Sequence, residues 1–217
     1  ADLRTLAGRA TCISTLLHVW RPFVAMLWAP MYSHRSKCPF NPEKIWTSAI
    51  TIPLKWMAAF LSGARGTLRR TYYLADFMGS GDDVEIVCDA SPTKLGAFLV
   101  EQGAITEYFE DELTADDERM LSATRGDSTG QQVWEALTML CALRLWSEKW
   151  AQRRIHLRVT GDSVSALTMV VKMCAKGVGT ALLARELALD VAEALYEPLV
   201  CTHIPGVANV LADFLSR

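Results

Sequence analysis

The sequence lacks several features that would assign it to a class of protein at once. No run of about 18 apolar residues is free of charge, which argues against a membrane-spanning helix. The six cysteines are scattered, without a Cys-x-x-Cys pair or a Cys/His cluster, so we do not expect a structural zinc site. Scattered cysteines inside apolar runs are instead typical of free thiols buried in an intracellular, reducing compartment.

Strong charge and processing signals are also missing. The net charge of −2 does not by itself indicate nucleic-acid binding. Arg4 and Arg9 precede an amphipathic stretch that has no small-residue cleavage site, so we do not expect a signal peptide. The first residue is not Met, which favours a chain cut from a longer one. Because 51% of the residues are hydrophobic, we expect some apolar surface to meet a partner.

The hydrophobic pattern changes near residue 80. Apolar residues recur at helical spacing through residues 1–32, where Pro22 marks a kink or a new helix start. A second helical segment is predicted at about 42–61. The turn-like sequence GSGDD at 79–83 then separates a small helical segment, 1–80, from a second domain, 81–217.

The second domain is predicted to mix strands and helices. Three short β-rich runs with turn residues between them indicate an antiparallel meander. An acidic loop follows at 110–130, in which one helical turn is allowed for, and then a long amphipathic helix at about 131–150. The full predicted order is β-β-β-α-β-α-α-β-α, which indicates an α/β fold with a mixed sheet flanked by helices.

Four acidic residues stand out in this domain. Asp89 and Asp162 each end an apolar strand, and open α/β sheets place their ligands at the carboxyl ends of strands. Glu135 and Asp213 lie on or near the apolar sides of predicted helices. Each acid taken alone has an ordinary explanation, as a turn aspartate or a solvated helical acid. Together they would be costly to bury without a cation, and they are suited to two Mg²⁺ ions in phosphodiester hydrolysis.

The order Asp, Glu, Asp, Asp on this pattern resembles ribonuclease H. More specifically, it is similar to the ribonuclease H domain of retrotransposon reverse transcriptases, of the DIRS-like or gypsy-like kind. The resemblance covers about residues 83–217 and rests on CDASPTKLGAFL (88–99), QQVWEALTMLCALRLW (131–146), VTGDSVSAL (159–167) and HIPGVANVLADFLSR (203–217).

This resemblance implies a ribonuclease H-like five-stranded sheet and a definite chemistry. The expected activity is endonucleolytic cleavage of the RNA strand of an RNA–DNA hybrid. The expected cofactor is a pair of Mg²⁺ ions, with Mn²⁺ as a substitute. The catalytic metal ligands would be Asp89, Glu135, Asp162 and Asp213.

The resemblance also places four residues near the hybrid. Ser91 would approach it through its hydroxyl, and Lys94, in the first hairpin, would follow the backbone of the hybrid. Asn209 would order the last turn or touch the RNA, although a helix cap is an equally good explanation. His203 precedes Asp213 by ten residues, a spacing compatible with a mobile histidine in product release. An ordinary strand-end histidine is the alternative.

The N-terminal segment resembles the thumb-like helices that lie between polymerase and nuclease in such polyproteins. This match rests on LAGR, on RPF, and on Trp46 and Trp56. The YxDD strand motif of the polymerase is absent, so we do not expect this chain to copy nucleic acid by itself. The expected partners are an RNA–DNA hybrid and either the polymerase region of a parent polyprotein or other protein subunits.

Three alternatives to an active ribonuclease H agree with the sequence to different degrees. Proofreading exonucleases begin with Asp-x-Glu, whereas Ser91 stands two residues after Asp89. Transposase and integrase cores carry Asp, Asp, Glu in that order, whereas the glutamate comes second here. A retroelement-derived, catalytically idle structural subunit of a larger assembly is not excluded by the sequence.

Overall fold

The computed structural model describes residues 2–39, 41–66, 68, 78, 81–150, 155–193 and 200–217. They form two compact units. The first contains the N-terminal helices and a small hairpin, with the end of one later helix from Ala188. The second contains a five-stranded sheet and most of the remaining helices. Residues 79 and 80, where the sequence predicts the domain boundary, lie outside the described residues, and that boundary stays a prediction.

Helices dominate the first unit. They are α1 (Leu3–Leu16), α2 (Arg21–Tyr32) and α3 (Thr51–Leu61). Pro22 lies in the first turn of α2, where a missing backbone N–H is tolerated, so it marks a new helix start as predicted. The core is aromatic: Phe23 stacks on Trp56 with ring centroids 4.8 Å apart, and Trp20 and Phe60 are buried.

The predicted helix at 42–61 is wrong in its first part. Asn41–Ile45 forms strand β2, which pairs antiparallel with the short strand β1 (Lys37–Cys38). The few apolar residues of this segment fit a helix and a hairpin alike, and the backbone pairing with β1 decides for the hairpin. The helix itself begins only at Thr51.

The second unit follows the predicted alternation. Its elements are β3 (Asp82–Ala90), β4 (Lys94–Glu101), β5 (Ala104–Glu112), α4 (Ala115–Leu121), α5 (Gln131–Leu145), α6 (Ser147–Trp150), β6 (Ile155–Gly161), α7 (Val164–Lys172), α8 (Val178–Ala192), β7 (Val200–His203) and α9 (Val210–Ser216). The acidic stretch predicted as a loop contains α4, which Thr114 and Asp117 start with a reciprocal capping box. Among the described residues, no helix is long and apolar enough to cross a membrane.

The sheet has the order β5-β4-β3-β6-β7. Strands β3, β4 and β5 form the predicted antiparallel meander, while β6 runs parallel to β3 and β7 parallel to β6. Central strand β3 is buried over its second half, as expected for a strand covered by helices on a mixed sheet. Ala212 of α9 packs on Val87 and Phe98, which fixes the C-terminal helix against the sheet. The prediction of a mixed five-stranded sheet flanked by helices is confirmed.

Candidate metal centre

Three of the four predicted acids meet at one end of the sheet. Asp89 lies near the carboxyl end of β3, and Asp162 directly follows β6. Because these strands are parallel neighbours, their carboxyl ends lie side by side. Glu135 reaches the same place from α5, and each of the three carboxylates presents one oxygen within 4.8 Å of the other two.

Two members of this acidic triad are buried in a way that calls for a cation, and Asp162 is half-buried. Asp89 and Glu135 are only 5% and 4% exposed. The Oε2 atom of Glu135 is buried and has no hydrogen-bond partner among the described residues. Close, desolvated carboxylates repel one another, and an unsatisfied buried oxygen costs free energy. A divalent metal would relieve both costs, so the residues present fit one.

The pKa values of Asp89 and Glu135 are raised by the same burial and repulsion. Burial raises the pKa of Glu135 to about 8, and the charges of Asp89 and Asp162 add to the rise, against a hydrogen bond from Gln131. Burial likewise raises the pKa of Asp89 to about 6, opposed by a hydrogen bond from Ser216 and reinforced by Asp162 and Asp213. Both ionised forms are therefore disfavoured until a positive charge arrives.

Hydrogen bonds from α9 and from the residue preceding it hold the carboxylate of Asp89. Ser216 donates its hydroxyl to Oδ2 at 2.5 Å, and the Nδ2 of Asn209 lies 3.4 Å from Oδ1. The same Nδ2 donates to the carbonyl oxygen of Cys88 at 3.0 Å. Both oxygens of Asp89 thus have a neutral donor.

Glu135 is held by its own helix. Gln131, one turn earlier in α5, donates from Nε2 to Glu135 Oε1 at 2.9 Å. The same amide group also donates to the backbone carbonyl of Ala90, at the end of β3. Gln131 therefore links the start of α5 to the strand that carries Asp89.

Asp213, the fourth predicted ligand, lies outside this triad. It belongs to the first turn of α9, and its Oδ1 forms an ion pair with Arg217 at 2.8 Å. Arg217 stands one helical turn later, so the pair follows from the helix geometry. Asp213 is still near enough to raise the pKa of Asp89 by its charge. The structure brings three of the predicted ligands together, and Asp213 is not a member of that cluster.

The hairpin residues Ser91 and Lys94 have structural contacts. The Oγ of Ser91 accepts hydrogen bonds from the backbone N–H groups of Thr93 and Lys94, at 3.2 and 2.9 Å, which closes the turn between β3 and β4. Lys94 is half-buried and lines a surface cavity of about 390 Å³ with Glu118 and Arg125. Their predicted contact with nucleic acid stays a prediction.

His203 and Asn209 differ in their access to the surface. His203, the exposed last residue of β7, lies with Nε2 3.1 Å from the backbone carbonyl oxygen of Asp162. Asn209 occupies the cap position of α9, but its side chain makes no capping hydrogen bond. It is 2% exposed and holds Asp89 instead. Asn209 is thus the cap residue by position, but its side chain serves Asp89, and burial leaves it little surface with which to touch RNA.

Several residues around the triad were missed by sequence reasoning. Gly206 leaves room for Asp162, because a Cβ there would lie 3.0 Å from the carboxylate Oδ2. Gln131 could have been found, since it stands four residues before Glu135 and i,i+4 side chains meet on a helix. Ser216 carried no such signal, because 127 residues separate it from Asp89.

Comparison with known proteins gives structural similarity only. No protein-family model and no curated protein matches the sequence. A ribonuclease H1 from Halobacterium salinarum is similar over 61% of this chain and 93% of its own, at 18% identity and a TM-score of 0.46. The N-terminal ribonuclease H domain of a Mycobacterium tuberculosis protein is similar over 61% and 95%, at 14% identity and a TM-score of 0.45.

A larger viral protein is similar over more of the chain. The foamy viral protease-reverse transcriptase, in complex with double-stranded DNA, matches 94% of this chain at 13% identity and a TM-score of 0.36. The chain spans 34% of that protein's length. The second unit has a ribonuclease H-like fold, as its own strand order and helix placement show.

Proposed function

We propose that this protein is a metal-dependent nuclease that hydrolyses the RNA strand of RNA–DNA hybrids, as the C-terminal part of a retroelement reverse transcriptase. The observation that carries the proposal is the acidic triad at the carboxyl ends of two parallel strands, in which Asp89 and Glu135 are buried and one Glu135 oxygen is unsatisfied. Open α/β sheets bind ligands at such ends. The resemblance of HIPGVANVLADFLSR (203–217) to retroelement ribonuclease H domains supports the choice of an RNA–DNA hybrid as substrate.

The residues of the triad would hold the metal. Asp89, Glu135 and Asp162 offer carboxylate oxygens, which Mg²⁺ and Mn²⁺ prefer, and Asp213 would complete the set for a second ion. Bound divalent ions supply activation of an attacking water and neutralisation of charge on the leaving oxygen. Asn209, Ser216 and Gln131 keep the carboxylates in one orientation, so that little reorganisation is needed when substrate arrives.

The distribution of charge supports a nucleic-acid partner. Residues 1–80 contain ten Lys and Arg but only three Asp and Glu, whereas residues 81–217 contain twelve and twenty-one. The low net charge of the chain therefore hides a strongly basic N-terminal segment. Such asymmetry is typical of proteins that bind a phosphate backbone.

An idle structural subunit accounts less well for these features. Clustered buried carboxylates destabilise a fold unless a cation compensates them. A purely structural role gives no reason to keep Glu135 only 4% exposed with an oxygen unsatisfied. We therefore favour the nuclease.

The test is cleavage of a hybrid whose RNA and DNA strands carry different labels. Purified protein with Mg²⁺ should shorten the RNA strand alone, and chelation of the metal should stop the reaction. Asp89→Asn should abolish cleavage, because it replaces the charged metal ligand with a neutral side chain of nearly equal size.

Asp116→Asn is the matched control. Asp116 is an exposed aspartate in α4, where it pairs with Arg119 and lies outside the triad. Its variant should cleave at the wild-type rate. Wild-type protein that is inert with both Mg²⁺ and Mn²⁺ would refute the proposed function.

A further inference from the structure

We propose that Ser216 is a positioning residue for the metal centre, acting through the carboxylate of Asp89. The inference rests on the proposed metal site and assigns a role to the LSR sequence that ends the chain. Ser216 is 1% exposed and donates its hydroxyl to Asp89 Oδ2.

The backbone of the sheet is shaped to admit this serine. Gly96 of β4 is the cross-strand partner of Asp89. A Cβ on Gly96 would lie 2.7 Å from the backbone nitrogen of Ser216 and 2.7 Å from the carbonyl carbon of Leu215. Only a residue without a side chain lets α9 approach so closely. The approach places the Ser216 hydroxyl directly beside the carboxylate.

A hydroxyl is a suitable hydrogen-bond donor to a carboxylate that also binds a metal. Ser216 is neutral, so it orients Asp89 without cancelling the negative charge that attracts a cation. A carboxylate has about four lone-pair positions. With Ser216 on Oδ2 and Asn209 near Oδ1, both oxygens are fixed while each keeps a lone pair for other ligands. A lysine or arginine in the same place would compete with the metal.

The competing explanation is that Ser216 only anchors α9. Its hydroxyl also lies 3.1 Å from the backbone carbonyl of Asp213, one turn earlier. A comparable bond exists elsewhere in the chain, where Ser147 donates to the carbonyl of Arg144 at 2.8 Å. Ser147 has no contact with the triad among the described residues. A variant at Ser147 therefore shows the effect of losing a helix-anchoring bond alone, without any effect on Asp89.

The experiment measures Mn²⁺ affinity by equilibrium titration in the full chain, alongside hybrid cleavage. Ser216→Ala should weaken Mn²⁺ binding by about 10- to 100-fold, the usual effect of losing a group that orients a metal ligand. Ser216→Cys keeps nearly the same size but donates a weaker hydrogen bond. Its Mn²⁺ affinity should lie between those of Ser216→Ala and the wild type. Ser147→Ala should bind Mn²⁺ as the wild type does.

A double-mutant cycle shows whether Ser216 acts through Asp89. In the Asp89→Asn background, Ser216→Ala should cause no further loss of Mn²⁺ affinity, whereas a merely structural role would add its full effect. Unchanged affinity in Ser216→Ala, in a protein that does bind Mn²⁺, would overturn this inference alone. Wild-type protein that binds no Mn²⁺ would overturn the metal site and the inference with it. Mn²⁺ binding that depends on Ser216, without hybrid cleavage, would support the inference while refuting the proposed substrate.

Discussion

At the scale of single residues, the three carboxylates of the acidic triad depend on the groups that hold them in place. The groups that hold them come from distant parts of the chain. Ser216 approaches Asp89 only because α9 packs on the sheet, and no local pattern reports that contact.

The raised pKa of Glu135 gives a prediction about stability in the absence of metal. A carboxyl group that titrates near 4.5 when unfolded and at about 8 when folded favours the folded state below pH 4.5, and this contribution is lost as the pH rises to 8. The metal-free wild type should therefore lose on the order of a few kcal/mol across this range, because each pKa unit corresponds to about 1.4 kcal/mol.

Glu135→Gln should remove most of this dependence, since an amide stays neutral. Urea unfolding with chelator at pH 5 and pH 8 measures the effect. The variant should be more stable than the wild type at pH 8, and added Mg²⁺ should stabilise the wild type only. Glu110→Gln, at an exposed position of β5, is the control. Equal pH dependence in the wild type and Glu135→Gln would contradict the account.

At the scale of elements, the long periodic segments were predicted well and the short ones less so. The meander, the helix that carries Glu135 and the final helix lie close to their predicted positions. The segment 41–45 was misassigned, because its few apolar residues fit a helix and a hairpin alike and only the pairing with β1 decides. Asp213 was placed in the correct helix, but sequence could not show its pairing with Arg217.

The seating of α9 on β4 gives a prediction at this scale. Gly96→Ala would bring a methyl group to 2.7 Å from the backbone of residues 215 and 216, which cannot move without shifting the helix. Overpacking of this kind costs about 1–3 kcal/mol. Urea unfolding should show that loss, and Mn²⁺ affinity should fall with it as Ser216 is displaced.

Gly8→Ala supplies the opposite control. Gly8 lies inside α1, and a Cβ there meets nothing within 4 Å. The variant should be more stable by roughly 0.5–1 kcal/mol, since alanine favours helix over glycine. A Gly96→Ala protein as stable as the wild type, with unchanged Mn²⁺ affinity, would show that the close approach is not needed.

At the scale of the whole molecule, two kinds of charge are separated along the chain. Residues 81–217 carry more Asp and Glu than Lys and Arg and include the triad that would hold cations, whereas residues 1–80 carry the net positive charge. In the proposed nuclease, the basic segment would supply affinity for the phosphate backbone, and the acidic triad would supply the chemistry. The net charge of −2 for the whole chain does not show this separation.

This separation predicts how binding depends on salt. Affinity for a hybrid, measured with chelator so that no cleavage occurs, should fall steeply with salt as counterions are released. Reversing the exposed Lys44 and Lys55 to Glu should weaken binding and reduce the salt slope by about one per lost phosphate contact. The same reversal at Arg119 and Lys176 should have little effect. Equal losses from both pairs would contradict a basic N-terminal binding surface.

The most direct test of the central claim is strand-specific cleavage by the wild type and Asp89→Asn, with Asp116→Asn beside them. The account predicts shortening of the RNA strand in the hybrid alone, in Mg²⁺, by the wild type and the control but not by Asp89→Asn. Cleavage that survives in Asp89→Asn, or a wild type that leaves the hybrid intact with either metal, would contradict it.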